Sequence, residues 1–271
     1  MVSELVDMSS QDESLEQLIR EIGSKPEDLI LLRNTERGDV FSFPVETERA
    51  LEVWTALRKR VEETGYWPVI VDSGFREELT EVQEQAQLSE DFAVAEHFDA
   101  ASWLAEAKDD LGAAGMEEEA WGEDEDEEEE SLDLETGCPL GEWPEQPQPI
   151  NDFVIFNQQP VNLSLVLVPT KQSWEVPIYL SFGGWNACPD PGVIAGLLRY
   201  WLGTSDAELV VITFDTLELR VGKPPEDREA AIKLAQEQYL VCQDIVDQGV
   251  ESLNALAAGL LGGSVWYFWW D

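Results

Sequence analysis

Any chemistry in this chain would have to come from a short roster of side chains. Cys188 follows the run Gly183-Gly184-Trp185-Asn186 and stands just ahead of Asp190-Pro191, a helix-entry pattern with Asp190 as N-cap and Pro191 as first helical residue. A thiol near a helix N-terminus has its thiolate favoured, and backbone N–H groups freed by glycines at such a point suit an anion. Both readings lack a part. The run has no phosphate-loop spacing and no following Lys, and a nucleophilic Cys needs a base, for which the only histidine is His97, in the other half of the chain. The preferred expectations are a tight turn at Gly183-Gly184-Trp185-Asn186 with Trp185 plugging the core, a buried inert Cys188, and an exposed His97 on a helix.

Carboxylates form a second roster. Asp215 precedes Glu218 on or beside a strand, and Glu237 and Asp244 lie seven apart on one face of a long helical stretch. Brought against one another, these four would bind Mg²⁺ or act as an acid and base pair. The same spacing is also what a solvated helix face shows. Three cysteines, Cys138, Cys188 and Cys242, show no CxxC or Cys/His metal spacing, so no metal and no cofactor is expected from motifs, and free thiols in a reducing compartment fit best.

The third roster is aromatic. Of 11 tryptophans, most fall on apolar faces, but Trp121 and Trp143 lie in an acidic, proline-bearing tract with Glu125, Asp126 and Glu127 between them. Aromatics among acids can anchor a basic partner by apolar contact after electrostatic capture.

Charge sets the terms for all three. With 57 Asp and Glu against 16 Lys and Arg, the chain carries −41. The stretch from Met116 to Thr136 holds 13 acids and no base, which leaves −28 on the other 250 residues. Such a field repels phosphate backbones and anionic lipid and attracts basic proteins or cations, so nucleic acid and membrane are not expected partners and a basic protein is. Acidity serving only solubility or salt adaptation is the alternative. The segment Met1 to Gly23 has no basic n-region and no apolar run, no stretch approaches the ~18 apolar residues of a membrane span, and a cytoplasmic location is expected.

The elements that would position these residues are legible in the spacing. Leu15, Leu18, Ile19 and Ile22 predict an amphipathic helix stopped by Gly23. A short extended piece, Asp39 to Phe43, precedes a helix from Glu46 to Thr64 carrying Ala50, Leu51, Trp54, Leu57 and Val61, with Gly65 as its C-cap. Trp67 to Val71 reads as a buried strand, and Glu78 to Ala107 as one or two helices with Phe92, Phe98, Trp103 and Leu104 inward. Gly112 to Pro149 reads as a flexible linker, because its composition cannot bury enough apolar surface to offset ordering entropy. Beyond it, Asp152–Asn157, Leu163–Val168, Trp174–Phe182, Glu208–Phe214 and Leu217–Val221 read as strands, Pro191–Trp201 as a helix, and Glu226–Leu261 as a long helical stretch that Gly249 divides. The closing Ser264–Asp271 is apolar on both faces and predicts a central or helix-covered strand. The fold class expected is α+β: a mostly antiparallel or mixed sheet flanked by helices. Its divisions are a mostly helical region over 1–111, an acidic disordered linker over 112–149, and a compact domain over 150–271.

Several short strings occur here in one order: Trp174-Glu175-Val176-Pro177, Phe182-Gly183-Gly184-Trp185-Asn186 with Cys188-Pro189, Arg199-Tyr200-Trp201, Asp215-Thr216-Leu217-Glu218, Pro224-Pro225, Leu234 to Tyr239 with Cys242 and Asp244-Ile245-Val246, and Trp266 to Asp271. Together they resemble the bacterial family catalogued as domain of unknown function 4253, from about Trp174 to the end, with an echo from Ala50 to Val71. The resemblance implies a shared fold and a set of motifs, and no mechanism. The residues themselves support two functional expectations. One is a non-enzymatic acidic protein-binding module, such as an immunity-like inhibitor of a basic toxin or nuclease. The other is a carboxylate-dependent, Mg-assisted enzyme using Asp215, Glu218, Glu237 and Asp244.

Overall fold

The computed structural model describes residues 10–81, 88–119, 132–133, 136–157 and 162–271. Helix α1, Ser10–Glu21, buries Leu15, Leu18 and Ile19, and Gly23 ends its last turn at φ +80°. Strands β1, Ile30–Thr35, and β2, Gly38–Val45, form a hairpin. The sequence reading found only part of β2 and missed β1, whose polar Arg33, Asn34 and Thr35 carry no strand signature. Helix α2, Thr47–Arg58, buries Ala50, Val53, Trp54 and Leu57, and the single turn α3, Val61–Thr64, is closed by Gly65 in the left-handed region. The apolar run Trp67–Asp72 is β3, buried up to its last residue. Helices α4, Ser73–Glu81, α5, Leu88–His97, and α6, Ala100–Glu119, follow.

Residues 136–149, within the 112–149 segment expected to be flexible, run with Ile150 as a strap along a later helix, and Asp152–Asn157, expected as a strand, contains a 3-10 turn at Val154–Asn157. Strand β4, Leu163–Val168, is as expected. Trp174–Phe182 is not a strand: it forms a 3-10 turn, Ser173–Glu175, running into helix α7, Val176–Leu180. Every residue of α7 is buried, and an apolar segment of five buried all round has no period by which helix and strand differ. Helix α8, Pro191–Ser205, starts at Asp190 and Pro191 as read. Strands β5, Ala207–Ile212, and β6, Thr216–Val221, form a hairpin. The long stretch divides into α9, Arg228–Val241, a π-helical turn at Ile245–Val250, and α10, Leu253–Leu260. Asp227 and Ser252 cap α9 and α10 by accepting the N–H of Ala230 and Ala255. Strand β7, Val265–Trp269, closes the chain.

The seven strands of the described residues form one mixed sheet in the order β1-β2-β4-β3-β5-β6-β7, antiparallel at every junction but β3–β5. The α+β expectation holds. The division into 1–111 and 150–271 does not, because β3 from the N-terminal portion lies between β4 and β5 of the C-terminal portion, pairing Ile70 with Leu165 on one side and Val211 on the other. Of the two expectations for the terminal strand, central or helix-covered, the second holds. β7 lies at the sheet's end, where Trp266 and Phe268 pack on Trp201 of α8, and its outer side is closed by the Val265 N–H bond to Ile150 and by Cys242 Sγ on the Trp269 carbonyl.

Candidate functional site

Burial decides the thiol. Cys188 is 4% exposed, and desolvation with Asp190 alongside pushes its pKa up to about 12, so the helix end does not produce a thiolate. Cys138 and Cys242 are buried, and burial pushes both up to about 12 in the same way. His97 ends α5 on the surface with Nδ1 on the Ala93 carbonyl, as expected for an exposed helix residue.

The glycine run is a turn. Gly183 and Gly184 have φ +111° and +79°, and a Cβ on Gly183 would meet the Pro189 carbonyl at 2.2 Å. The Gly184 N–H is spent within the loop, on the carbonyls of Cys188 and Pro189 at 3.2 and 3.0 Å. Trp185 does not plug the core as expected. It is half-buried, edge-on to Phe182 and stacked at 5.4 Å and 10° on Phe214, which is 53% exposed. The neighbouring Asn186 donates to the backbone carbonyl of the last residue, Asp271, at 2.7 Å.

The four carboxylates have separate occupations. Asp215 pins the β5–β6 turn to the C-terminus: it accepts from Thr213 and Thr216 hydroxyls at 3.2 and 3.0 Å and from the Trp269 indole at 3.1 Å. Glu218 is fully buried on β6 and accepts the N–H groups of Val154 and Ile155 at 2.5 and 2.9 Å, which is why the expected strand there is a 3-10 turn. Desolvation lifts its pKa to about 7 against the pull of those two bonds. Glu237 on α9 is met by the Tyr200 hydroxyl at 3.3 Å, and burial raises its pKa too. Asp244 accepts from Gln248 and from the N–H of Asp271. The enzyme expectation required these groups to share an ion or a proton. Instead each serves a different structural bond, and among the described residues no three His, Cys, Asp or Glu side chains are grouped to hold a metal.

Trp121, Glu125, Asp126 and Glu127 lie outside the described residues. Trp143 is not the free anchor expected of it. It is half-buried against the core with the Arg228 guanidinium 4.4 Å from its ring centre, because the strap that carries it is bonded down. The Pro139 and Leu140 carbonyls accept from Leu253 and Asn254, the first N–H groups of α10, and Ile150 donates to Gly259.

Two features went unread. Glu208, 9% exposed, is bridged by Arg58 and Arg220, whose guanidinium groups lie over Trp67 and Trp54 respectively, a covering of the sheet that no spacing announces. The other is Phe214, read as the end of a strand, whose signal was an aromatic placed between Thr213 and Asp215 where a hairpin must turn.

Of the clefts, one of about 480 Å³ lies at the ends of β2 and β3 beside the starts of α2 and α4, lined by Glu46, Thr47, Ser73, Arg76 and Ser164. Another of about 950 Å³ runs along the first turns of α9 from Asp227 to Gln236.

Residues 164–271 match the family described as domain of unknown function (DUF4253), so the resemblance read from Trp174 onward holds and extends upstream into β4. No curated protein and no solved structure matches the chain. Among the described residues, no helix is long and apolar enough to cross a membrane.

Proposed function

We propose that the chain is a non-enzymatic, cytoplasmic, acidic protein-binding module that captures a basic protein, in the manner of an immunity-like inhibitor of a basic toxin or nuclease. The observation that carries this reading is the excess charge: 57 acids against 16 bases leave a net charge of −41 that no pairing within the chain can neutralise. Several of the bases are paired internally, as in Arg58 and Arg220 on Glu208, Arg60 between Glu21 and Glu63, and Lys171 on Glu62. Most of the described acids are exposed, where they draw in a cationic surface and speed its association at low salt. The burial of Cys188 and the structural bonds of Asp215, Glu218, Glu237 and Asp244 argue in the same direction, since each residue that would open a catalytic scheme is either buried or engaged in the fold.

The test is a pull-down from a lysate of the source cell with the full chain as bait, at salt rising from roughly 0.05 M to 0.5 M. The reading expects one predominant basic polypeptide held at ~0.15 M salt and released at higher salt, and that polypeptide, once purified, to lose its own activity on binding. Retention of no basic protein at the lowest salt would overturn it.

A further inference from the structure

We infer that the stacked pair Trp185 and Phe214 is the contact platform of this molecule, and that its occupant is an arginine-bearing segment of a basic protein. The inference rests on the binding reading above and gives it a location.

Phe214 is 53% exposed at the tip of the β5–β6 hairpin, and the tip has no packing need for an aromatic ring. It is held as a flat surface nonetheless, since its ring lies within 10° of parallel to Trp185, which is braced edge-on by Phe182, itself edge-on to Trp270. The two loops that present the pair are tied down by their own bonds. Glycines at positive φ and the Gly184 N–H bonds set one, and the Asp215 carboxylate clamps the other to the Trp269 indole. A preformed aromatic surface needs little ordering on contact.

The charge around it has one sign. Asp190 stands beside Gly184, Asp215 follows Phe214, and Asp271 is bound both to Asn186 and to Asp244. The loops that present the pair, Phe182 to Asp190 and Thr213 to Thr216, contain no Lys or Arg, and none occurs after Lys233; the neighbouring bases Arg199 of α8 and Arg220 of β6 are held by the Glu96 and Phe98 carbonyls and by Glu208. An aromatic face on loops whose charged residues are all acidic is the complement of a guanidinium, which stacks flat on the ring and donates from its edge to acids. Lysine has the charge without the plane.

The experiment uses the full chain and a hexa-arginine peptide, titrated by calorimetry at ~0.15 M salt, with hexa-lysine as the comparison. Arginine peptide is expected to bind more tightly than lysine peptide, and Phe214→Ala to weaken the arginine peptide roughly five- to tenfold while removing that preference. Leu31→Ala, an exposed apolar residue on β1 at the other end of the sheet, is expected to leave both unchanged. Phe214 is exposed, so its loss spares the core, and a thermal melt of the variant matching the wild type establishes that. If Phe214→Ala and wild type bind alike, or arginine and lysine peptides bind alike, the platform is overturned while the general capture of basic proteins stands on its own pull-down. If the wild type binds neither peptide, the platform is overturned as well.

Discussion

Glu218 shows how a side chain that looks catalytic can be spent on the fold. Its two oxygens take the N–H groups of Val154 and Ile155, so removing the carboxylate leaves two buried donors unpaired. Glu218→Ala is expected to cost roughly 2–4 kcal/mol in urea unfolding. The pH dependence has a definite sign. The group ionises near 7 when folded and near its ordinary 4.5 when unfolded, so between these values the native state holds the extra proton. Its contribution is present below about pH 4.5 and is lost as pH rises through about 7. In high salt, which screens the general acidic repulsion, the thermal midpoint of the wild type should decline more steeply from about pH 5 to about 8 than that of Glu218→Gln. Parallel declines would mean that Glu218 is not the titrating group.

At the scale of elements, the strap over residues 136–150 decides how α10 and β7 are held. Its carbonyls satisfy the opening N–H groups of α10, and Ile150 bonds both Gly259 and Val265. Gly141 permits this course: it sits at φ +61°, and a Cβ there would meet Ser252 at 2.4 Å. Hydrogen exchange should find the amides of Leu253, Asn254, Ile150 and Val265 protected in the wild type. Gly141→Ala should expose Leu253 and Asn254 by orders of magnitude in rate while β3 and β4 keep their protection. Fast exchange at all four amides in the wild type would restore the flexible linker. Composition misled here because Pro139, Pro144, Pro147 and Pro149 signal only that the segment cannot join a helix or a central strand. An extended strap that gives carbonyls and few N–H groups suits those prolines well.

For the whole molecule the decisive fact is that the sheet is woven from both halves. The family match begins inside β4, yet β4 and β5 reach each other only through β3, about a hundred residues upstream of β4. Residues 150–271 alone would leave both edges of the apolar β4 and one edge of β5 unpaired, a condition that favours aggregation over folding. Expressed by itself, that fragment should show no cooperative unfolding transition by circular dichroism, and co-expression with residues 1–149 should restore one. A soluble, cooperatively melting fragment would show that the C-terminal portion is self-sufficient after all.

What the sequence settled by itself was whatever depends on near neighbours or on totals. The caps at Gly65 and Asp190-Pro191, the buried strands at Trp67–Val71 and Leu163–Val168, the want of a base for Cys188 and the charge of −41 all belong to that class. Only the tertiary structure decided the insertion of β3, the turn where Val154 meets Glu218, the helical state of Val176–Leu180 and the pairing of Trp185 with Phe214. Each of these turns on a partner tens of residues away, or on desolvation that such a partner imposes, and local propensity and periodicity carry no record of either.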